Sequence, residues 1–225
     1  MVQISGVRAC VFDAYGTLFD VHTPTTAIAD ELGDVAQPLS DLWRQKQLQY
    51  SWLRSLMGQH ADFWQITGDA LDYALDAHSI DNPDIRQRLM DLYEKLEAYP
   101  DASDTLSQLK DAGYQTAILS NGAPKMLDAA IRNSGIGSLI DHTISIEDAG
   151  IYKPSARVYQ LGVDRLGVKA EEICFVSSNT WDVAGAASFG FQLAHINRFD
   201  QPPERLPGKP KAILTSLSEL PPIIS

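Results

Sequence analysis

The chain has 225 residues and only two cysteines, Cys10 and Cys174, each inside an apolar run. Two such thiols make no disulfide framework, and no Cys/His cluster has ligand spacing, so a structural zinc site is not expected. The thiols read as buried and free in a reducing compartment, which points to a cytoplasmic protein. No apolar stretch reaches the roughly 18–20 residues of a bilayer span. The N-terminus lacks a basic segment followed by an apolar run, so no signal peptide is expected. Cations are also scarce: 18 Lys and Arg stand against 29 Asp and Glu, a formal net charge of −11. That balance argues against nucleic acid or an anionic membrane as partner. It leaves small anionic substrates open, because a few local cations outweigh a distant net charge.

What is present is an ordinary globular composition, 44% hydrophobic and 21% charged, at a length that suits one large domain or a domain with an insertion. Clear strand candidates are Val7–Phe12, Tyr114–Leu119, Ile173–Ser177 and Phe191–Ile196, with a weaker one at His142–Ser145 and a short late one at Ala212–Leu214. Helical patterns alternate with them at about 101–112, 124–134, 155–166 and 182–189. Near-continuous apolar strands alternating with helices predict an α/β fold. Its core is a Rossmann-like parallel sheet covered by helices on both faces.

Between the first two clear strands, residues 18–97 contain no convincing strand and read as helices near 25–32, 39–57, 62–78 and 84–97, broken at Asn82-Pro83. The expected organisation is a core of residues 1–17 and 98–225 with an inserted helical cap subdomain, 18–97. In the helix at 39–57, Leu39, Trp43, Tyr50, Leu53 and Met57 fall on one face and Arg44, Leu48 and Trp52 on roughly the opposite one. Apolar residues on both faces predict a sandwiched helix, with Arg44 directed at the cleft between cap and sheet. Taken alone, an arginine there also suits snorkelling or pairing with an acid.

Polar residues gather at the strand ends. Asp13 ends the first strand, Ser120-Asn121-Gly122 the second, and Ser177-Ser178-Asn179 a later one. Lys153-Pro154 follows the weak strand, and Asp182 lies just beyond Asn179. In a parallel sheet these ends share one edge, where open α/β sheets bind ligands. Singly, each has a plain structural reading: a turn, a solvated lysine, a helix cap, an acid at a helix N-terminus.

The pattern Asp13-x-Tyr15-Gly16-Thr17-Leu18, Ser120-Asn121, Lys153-Pro154 and Asp182 resembles the four motifs of the haloacid dehalogenase superfamily, over nearly the whole chain. In that superfamily a strand-end aspartate is a covalent nucleophile. Phosphatase members carry a second aspartate two residues after it and an acid pair in the last motif. Here Tyr15 and Ser177 stand at those places. Without these carboxylates a hard dication has few ligands, so no metal and no cofactor is expected. Asp-x-Tyr with Ser-Ser-Asn-Thr-Trp-Asp instead resembles the L-2-haloacid dehalogenases.

That resemblance implies hydrolysis of L-2-haloalkanoates to D-2-hydroxyalkanoates plus halide, through an aspartyl ester on Asp13 with inversion at C2. It implies that Thr17, Lys153, Ser177, Asn179 and Asp182 orient Asp13 or the hydrolytic water, and that Tyr159 is a further catalytic residue. Ser120 would receive the substrate carboxylate, and Arg44, Asn121 and Trp181 would cradle the halide. Tyr15, Leu48, Phe63 and Trp181 would form the apolar lining. A homodimer is implied, with Trp64 or Tyr73 at an interface unless they pack inside the cap. Other readings stay open here: a phosphatase or phosphonate-cleaving relative that tolerates Tyr15, a hydrolase of strained ring acids, and a catalytically silent binding protein. The preferred halogen, including fluoride, also stays open.

Overall fold

A computed structural model describes residues 3–225. Six parallel strands form one sheet: β1 (Ala9–Phe12), β2 (Gln115–Ser120), β3 (His142–Ser145), β4 (Ile173–Ser177), β5 (Gln192–Ile196) and β6 (Ala212–Leu214), in the order β3-β2-β1-β4-β5-β6. The central strands are buried along their whole length, as their unbroken apolar runs require. The strand order reverses between β1 and β4, because the chain leaves β1 toward β2 on one side and returns to β4 on the other. A crevice at the carboxyl ends of the strands is expected at this switch point. Asp13 and Ser177 stand there.

The expected α/β fold is therefore present, with shifts of one or two residues at element ends. Val7 and Arg8 fall outside β1 because their N–H groups bond to Ser225 and Glu172 carbonyls rather than to a neighbouring strand register. Helices α6 (Ala102–Asp111), α7 (Pro124–Ser134), α8 (Ala156–Leu166) and α9 (Thr180–Phe189) cover the sheet. Cys10 and Cys174 are free, buried and directly opposite one another in the β1–β4 register. Burial pushes both thiols up, Cys10 to about 12. No helix among the described residues is long and apolar enough to cross a membrane.

The cap is built from α1 (Thr23–Ala27), α2 (Ala29–Leu32), α3 (Ala36–Met57), α4 (Phe63–Ala77) and α5 (Pro83–Glu94). Asn82 caps α5 by accepting from the N–H groups of Asp84 and Ile85, at 3.0 and 3.2 Å, with Pro83 in the first turn. The chain enters and leaves the cap side by side. Tyr99 N–H donates to the Leu18 carbonyl at 2.8 Å and Asp20 N–H to the Glu97 carbonyl at 3.1 Å, and Phe19 bridges Ala98.

The expected apolar stripe of α3 is corrected beyond its first turns. Leu39 and Trp43 are buried, but Leu53 and Met57 are exposed, and Gln47 and Ser51 are buried instead. Gln47 is tolerated inside because its amide donates to Thr67 Oγ1 at 2.7 Å and to Tyr93 Oη at 3.1 Å. A satisfied buried amide carries little penalty, and an apolar periodicity cannot report it.

Candidate active site

Asp13 sits one residue past β1, its N–H donating to the Val176 carbonyl at 2.9 Å, with its side chain almost wholly buried. Three donors hold the carboxylate. Asn179 Nδ2 lies 2.7 Å and Thr17 Oγ1 3.4 Å from Oδ2, and Lys153 Nζ lies 3.2 Å from Oδ1. The first turn after β1 makes this possible: Gly16 takes φ +88°, and Asn179 packs 3.7 Å from where a Cβ would stand. Thr17 is itself fixed, since Ser178 N–H donates to its hydroxyl at 2.9 Å.

Asn179 occupies the N-cap position of α9, yet its side chain makes no cap bond. It is diverted to the site, where Nδ2 donates to Asp13 and, at 3.0 Å, to the Tyr15 carbonyl. Forgoing a cap of about 1 kcal/mol for these bonds indicates a task other than helix stability.

Lys153 is fully buried between two carboxylates and lies 2.7 Å from Asp182 Oδ2. Its backbone N–H donates to Asn121 Oδ1 at 3.1 Å, so Asn121 fixes the lysine and presents its NH2 end elsewhere. Asp182 also accepts from Tyr159 Oη at 2.7 Å, and Ser177 Oγ stands 3.5 Å away. Burial raises the Asp182 carboxyl to about 6, against the lowering effect of Lys153. Tyr159 is held well above its usual range by burial and by the neighbouring Asp182 charge, so it remains a donor. It reaches Asp182 only because residue 185 is glycine, where a Cβ would lie 2.4 Å from the tyrosine oxygen.

Arg44 reaches across from the cap. Its Nη2 lies 3.3 Å from both Asn179 Oδ1 and the Tyr15 carbonyl, and its Nη1 donates to Gln47 Oε1 at 2.8 Å. All three partners are neutral oxygens, so the guanidinium charge remains available to an anion. A cavity of about 380 Å³ opens here, lined in part by Gly16, Arg44, Leu48, Ser178, Asn179 and Trp181. The indole N–H of Trp181 and the Ser178 hydroxyl are buried without a protein partner. Such donors carry a cost unless a ligand or water meets them. Among the described residues, no group of three or more His, Cys, Asp or Glu is arranged to hold a metal ion.

Most of the expected residues converge. Ser120 is buried at the end of β2, its Oγ accepting from Gly122 N–H at 3.0 Å. Asp13, Ser120, Asn121 and Lys153 stand outside the lining of the 380 Å³ cavity, and so do Tyr15 and Phe63. The last two are buried beside it, with ring centres 5.9 Å apart, and Tyr15 stacks on Tyr93 at 5.8 Å. Gln47, Thr67 and Tyr93, which anchor Arg44 from behind, carry no motif and were not expected. Their only sequence signal is two polar residues and a tyrosine spread over three cap helices.

A family model for haloacid dehalogenase-like hydrolases matches residues 7–190. The chain is 51% identical to (S)-2-haloacid dehalogenase 1 of Pseudomonas sp. strain CBS-3, over 97% of this chain and 96% of that one. It is 52% identical to (S)-2-haloacid dehalogenase 4A of Burkholderia cepacia, over 99% and 97%. The chain belongs to the (S)-2-haloacid dehalogenases, within the haloacid dehalogenase-like hydrolases. A solved dehalogenase with an intermediate complex superposes with a TM-score of 0.96 at 51% identity, covering 98% of each chain.

These relatives correct one expectation. The motifs imply an L-2-haloacid dehalogenase turning L-2-haloalkanoates into D-2-hydroxyalkanoates, whereas the family shown is that of the (S)-2-haloacid enzymes. For 2-chloropropionate the L and (S) descriptors name one enantiomer, and D- and (R)-lactate one product, so the correction falls on the descriptor and leaves the reaction unchanged.

Proposed function

We propose that this dehalogenase hydrolyses short (S)-2-haloalkanoates, releasing halide and a 2-hydroxyalkanoate of opposite, (R), configuration. The observation that carries the reading is Asp13 itself: a buried carboxylate, compensated by Lys153 and facing a guanidinium from the cap that no acid neutralises.

Asp13 Oδ2 is bonded twice, at 2.7 and 3.4 Å, while Oδ1 has a single contact, to Lys153 at 3.2 Å. Oδ1 is therefore the freer nucleophile. It attacks C2 from behind, the C2–halogen bond breaks, and the electron pair leaves with the halide toward Arg44, the NH2 of Asn121 and the indole N–H of Trp181. Donors aimed where charge develops lower the barrier rather than merely tightening binding. Ser120, with nearby backbone N–H groups, takes the substrate carboxylate. Leu48 and the Trp181 ring lie against the alkyl group, with Tyr15 and Phe63 behind.

The ester so formed keeps Oδ2 as its carbonyl oxygen, already facing Asn179 Nδ2 and Thr17 Oγ1. These become an oxyanion hole when water adds to the ester carbon. Asp182, raised to about 6, takes the water's proton with Ser177 beside it, and Tyr159 holds it in place. A base near the operating pH is the efficient one. Collapse breaks the bond between the ester carbon and the substrate oxygen, Asp182 returns its proton to that oxygen, and the hydroxy acid leaves Asp13 without C2 being touched again. No step calls for a metal: Lys153 supplies the positive charge that a dication would otherwise bring.

The reading divides the chain into a core of 1–17 and 98–225 and a cap of 18–97, with the reacting atoms between them. It also includes a homodimer. Leu53, Leu56, Met57 and Tyr73 leave an apolar patch exposed on α3 and α4, while Trp64 packs partly inside. Patches of this kind mark protein contacts, and sedimentation at micromolar concentration tests it. The activity is tested by offering the pure protein each enantiomer of 2-chloropropionate. Chloride from the (S) form alone, with (R)-lactate, supports the proposal. Chloride from the (R) form alone overturns it.

A further inference from the structure

The two crossings between core and cap meet at one side chain that no motif includes. Arg198 lies just after β5, and its guanidinium forms a fork on Asp101, with Nη1 2.7 Å from Oδ2 and Nη2 2.9 Å from Oδ1. The same Nη2 donates to the Thr17 carbonyl at 3.4 Å, and the guanidinium lies 4.1 Å from the centre of the Tyr99 ring. Arg198 thus touches the segment entering the cap, at Thr17, and the segment leaving it, at Tyr99 and Asp101. Asp101 is anchored to the core in turn, since Ser216 Oγ and Leu217 N–H donate to its Oδ2 at 2.7 and 2.9 Å. Both partners are mostly buried, with side-chain exposures of 12% and 17%. A planar fork stacked on an aromatic ring restricts rotation as well as distance, which a lysine cannot do.

We infer that Arg198 is a positioning residue for dehalogenation: clamped on Asp101, it fixes the angle at which the cap leaves the core and thereby the place of Arg44. This rests on the reaction proposed above. Arg44 is the polar cap residue that the proposed reaction uses, and it serves only the halide-releasing step; His22 also lines the cavity. Ester hydrolysis uses Thr17, Lys153, Ser177, Asn179 and Asp182, all carried by the core; Arg198 touches only the Thr17 carbonyl, and Ser178 N–H holds the Thr17 hydroxyl separately at 2.9 Å. Loosening the clamp should therefore slow one step and spare the other, whereas general damage to the fold would slow both. A displacement of about 1 Å at a reacting group costs up to a hundredfold in rate.

The test compares wild type with Arg198→Lys, Asp101→Asn and the double variant in rapid-quench experiments with (S)-2-chloropropionate. Ester formation is read from chloride released in the first turnover, and ester decay from loss of acyl mass on the quenched protein. The expected result is ester formation slowed by about tenfold or more in each single variant, with decay within about twofold of wild type. The double variant should be no slower than the slower single one, because both substitutions break one contact. Unchanged ester formation overturns the inference, as does a parallel fall in both rate constants. A wild-type protein that forms no ester overturns the proposed reaction itself, and this inference with it.

Discussion

Lys153 Nζ lies 2.7 Å from Asp182 Oδ2, and neither side chain has any exposed surface. Asp13 stands on the other side of the ammonium, 3.2 Å away. One cation therefore compensates two buried carboxylates, which sets what happens when it is removed. Deleting one partner of a buried pair typically costs about 3–5 kcal/mol, because the remaining charge is left uncompensated. Lys153→Met should destabilise the fold by an amount of that order and abolish turnover. Adding Asp182→Asn should recover part of the stability but none of the activity. Urea unfolding of wild type and these two variants measures the first effect and chloride release the second.

Asp182 gives the pH dependence its sign. Burial raises this carboxyl to about 6, and the mechanism needs it ionised. Its base form is lost as the pH falls through about 6, so kcat should drop on that acid limb rather than near pH 4. The bond from Tyr159 works in the lowering direction on Asp182. Tyr159→Phe should therefore move the acid limb to higher pH, and a kcat profile between pH 4.5 and 9 shows the displacement. A limb that stays in place or moves down would contradict the assignment of Asp182 as base.

Gln47 holds Arg44 Nη1 at 2.8 Å and is itself held by Thr67 and Tyr93. Gln47→Leu keeps the volume roughly constant but removes that hold and strands the Tyr93 hydroxyl, while Thr67 keeps its bond to the Phe63 carbonyl. Chloride release should fall by about tenfold, and Arg44→Ala should cost about 10²–10³, the usual effect of deleting a donor to developing charge. Single-turnover chloride release distinguishes these from changes in ester hydrolysis, which should be small for both.

Chelation should have no effect. Asp182 is the carboxylate that shares Lys153 with Asp13, and Lys153 and Tyr159 already occupy its oxygens. Steady-state turnover with millimolar EDTA, and again with added Mg²⁺, should match untreated enzyme. Loss on chelation with recovery on Mg²⁺ would point back to the phosphatase-like reading.

The centre of the sheet and its polar edge were readable because β1, β2 and β4 are apolar runs that end abruptly in a short polar residue. Asp13, Ser120 and Ser177 are all visible that way, and in a parallel sheet chain order alone places them on one edge. The cap was legible as helices but not in its packing. Leu53 and Met57 look like core in a helical projection, yet they face outward, while Gln47 looks like surface and is buried. Burial of a polar group depends on partners in other helices, here Thr67 and Tyr93, and a local pattern does not contain them. Arg198 and Asp101 were missed for the same reason. They are 97 residues apart and meet only once the sheet has formed.

The central claim is that Asp13 becomes an ester and that water attacks the enzyme rather than the substrate. A single turnover with excess enzyme and (S)-2-chloropropionate in heavy-oxygen water tests it, followed by mass analysis of lactate and of the peptide containing Asp13. The predicted result is one heavy oxygen in the Asp13 carboxylate and none in the lactate, whose new oxygen comes from Asp13. Heavy oxygen in the lactate with an unlabelled Asp13 would show direct attack by water and would contradict the account.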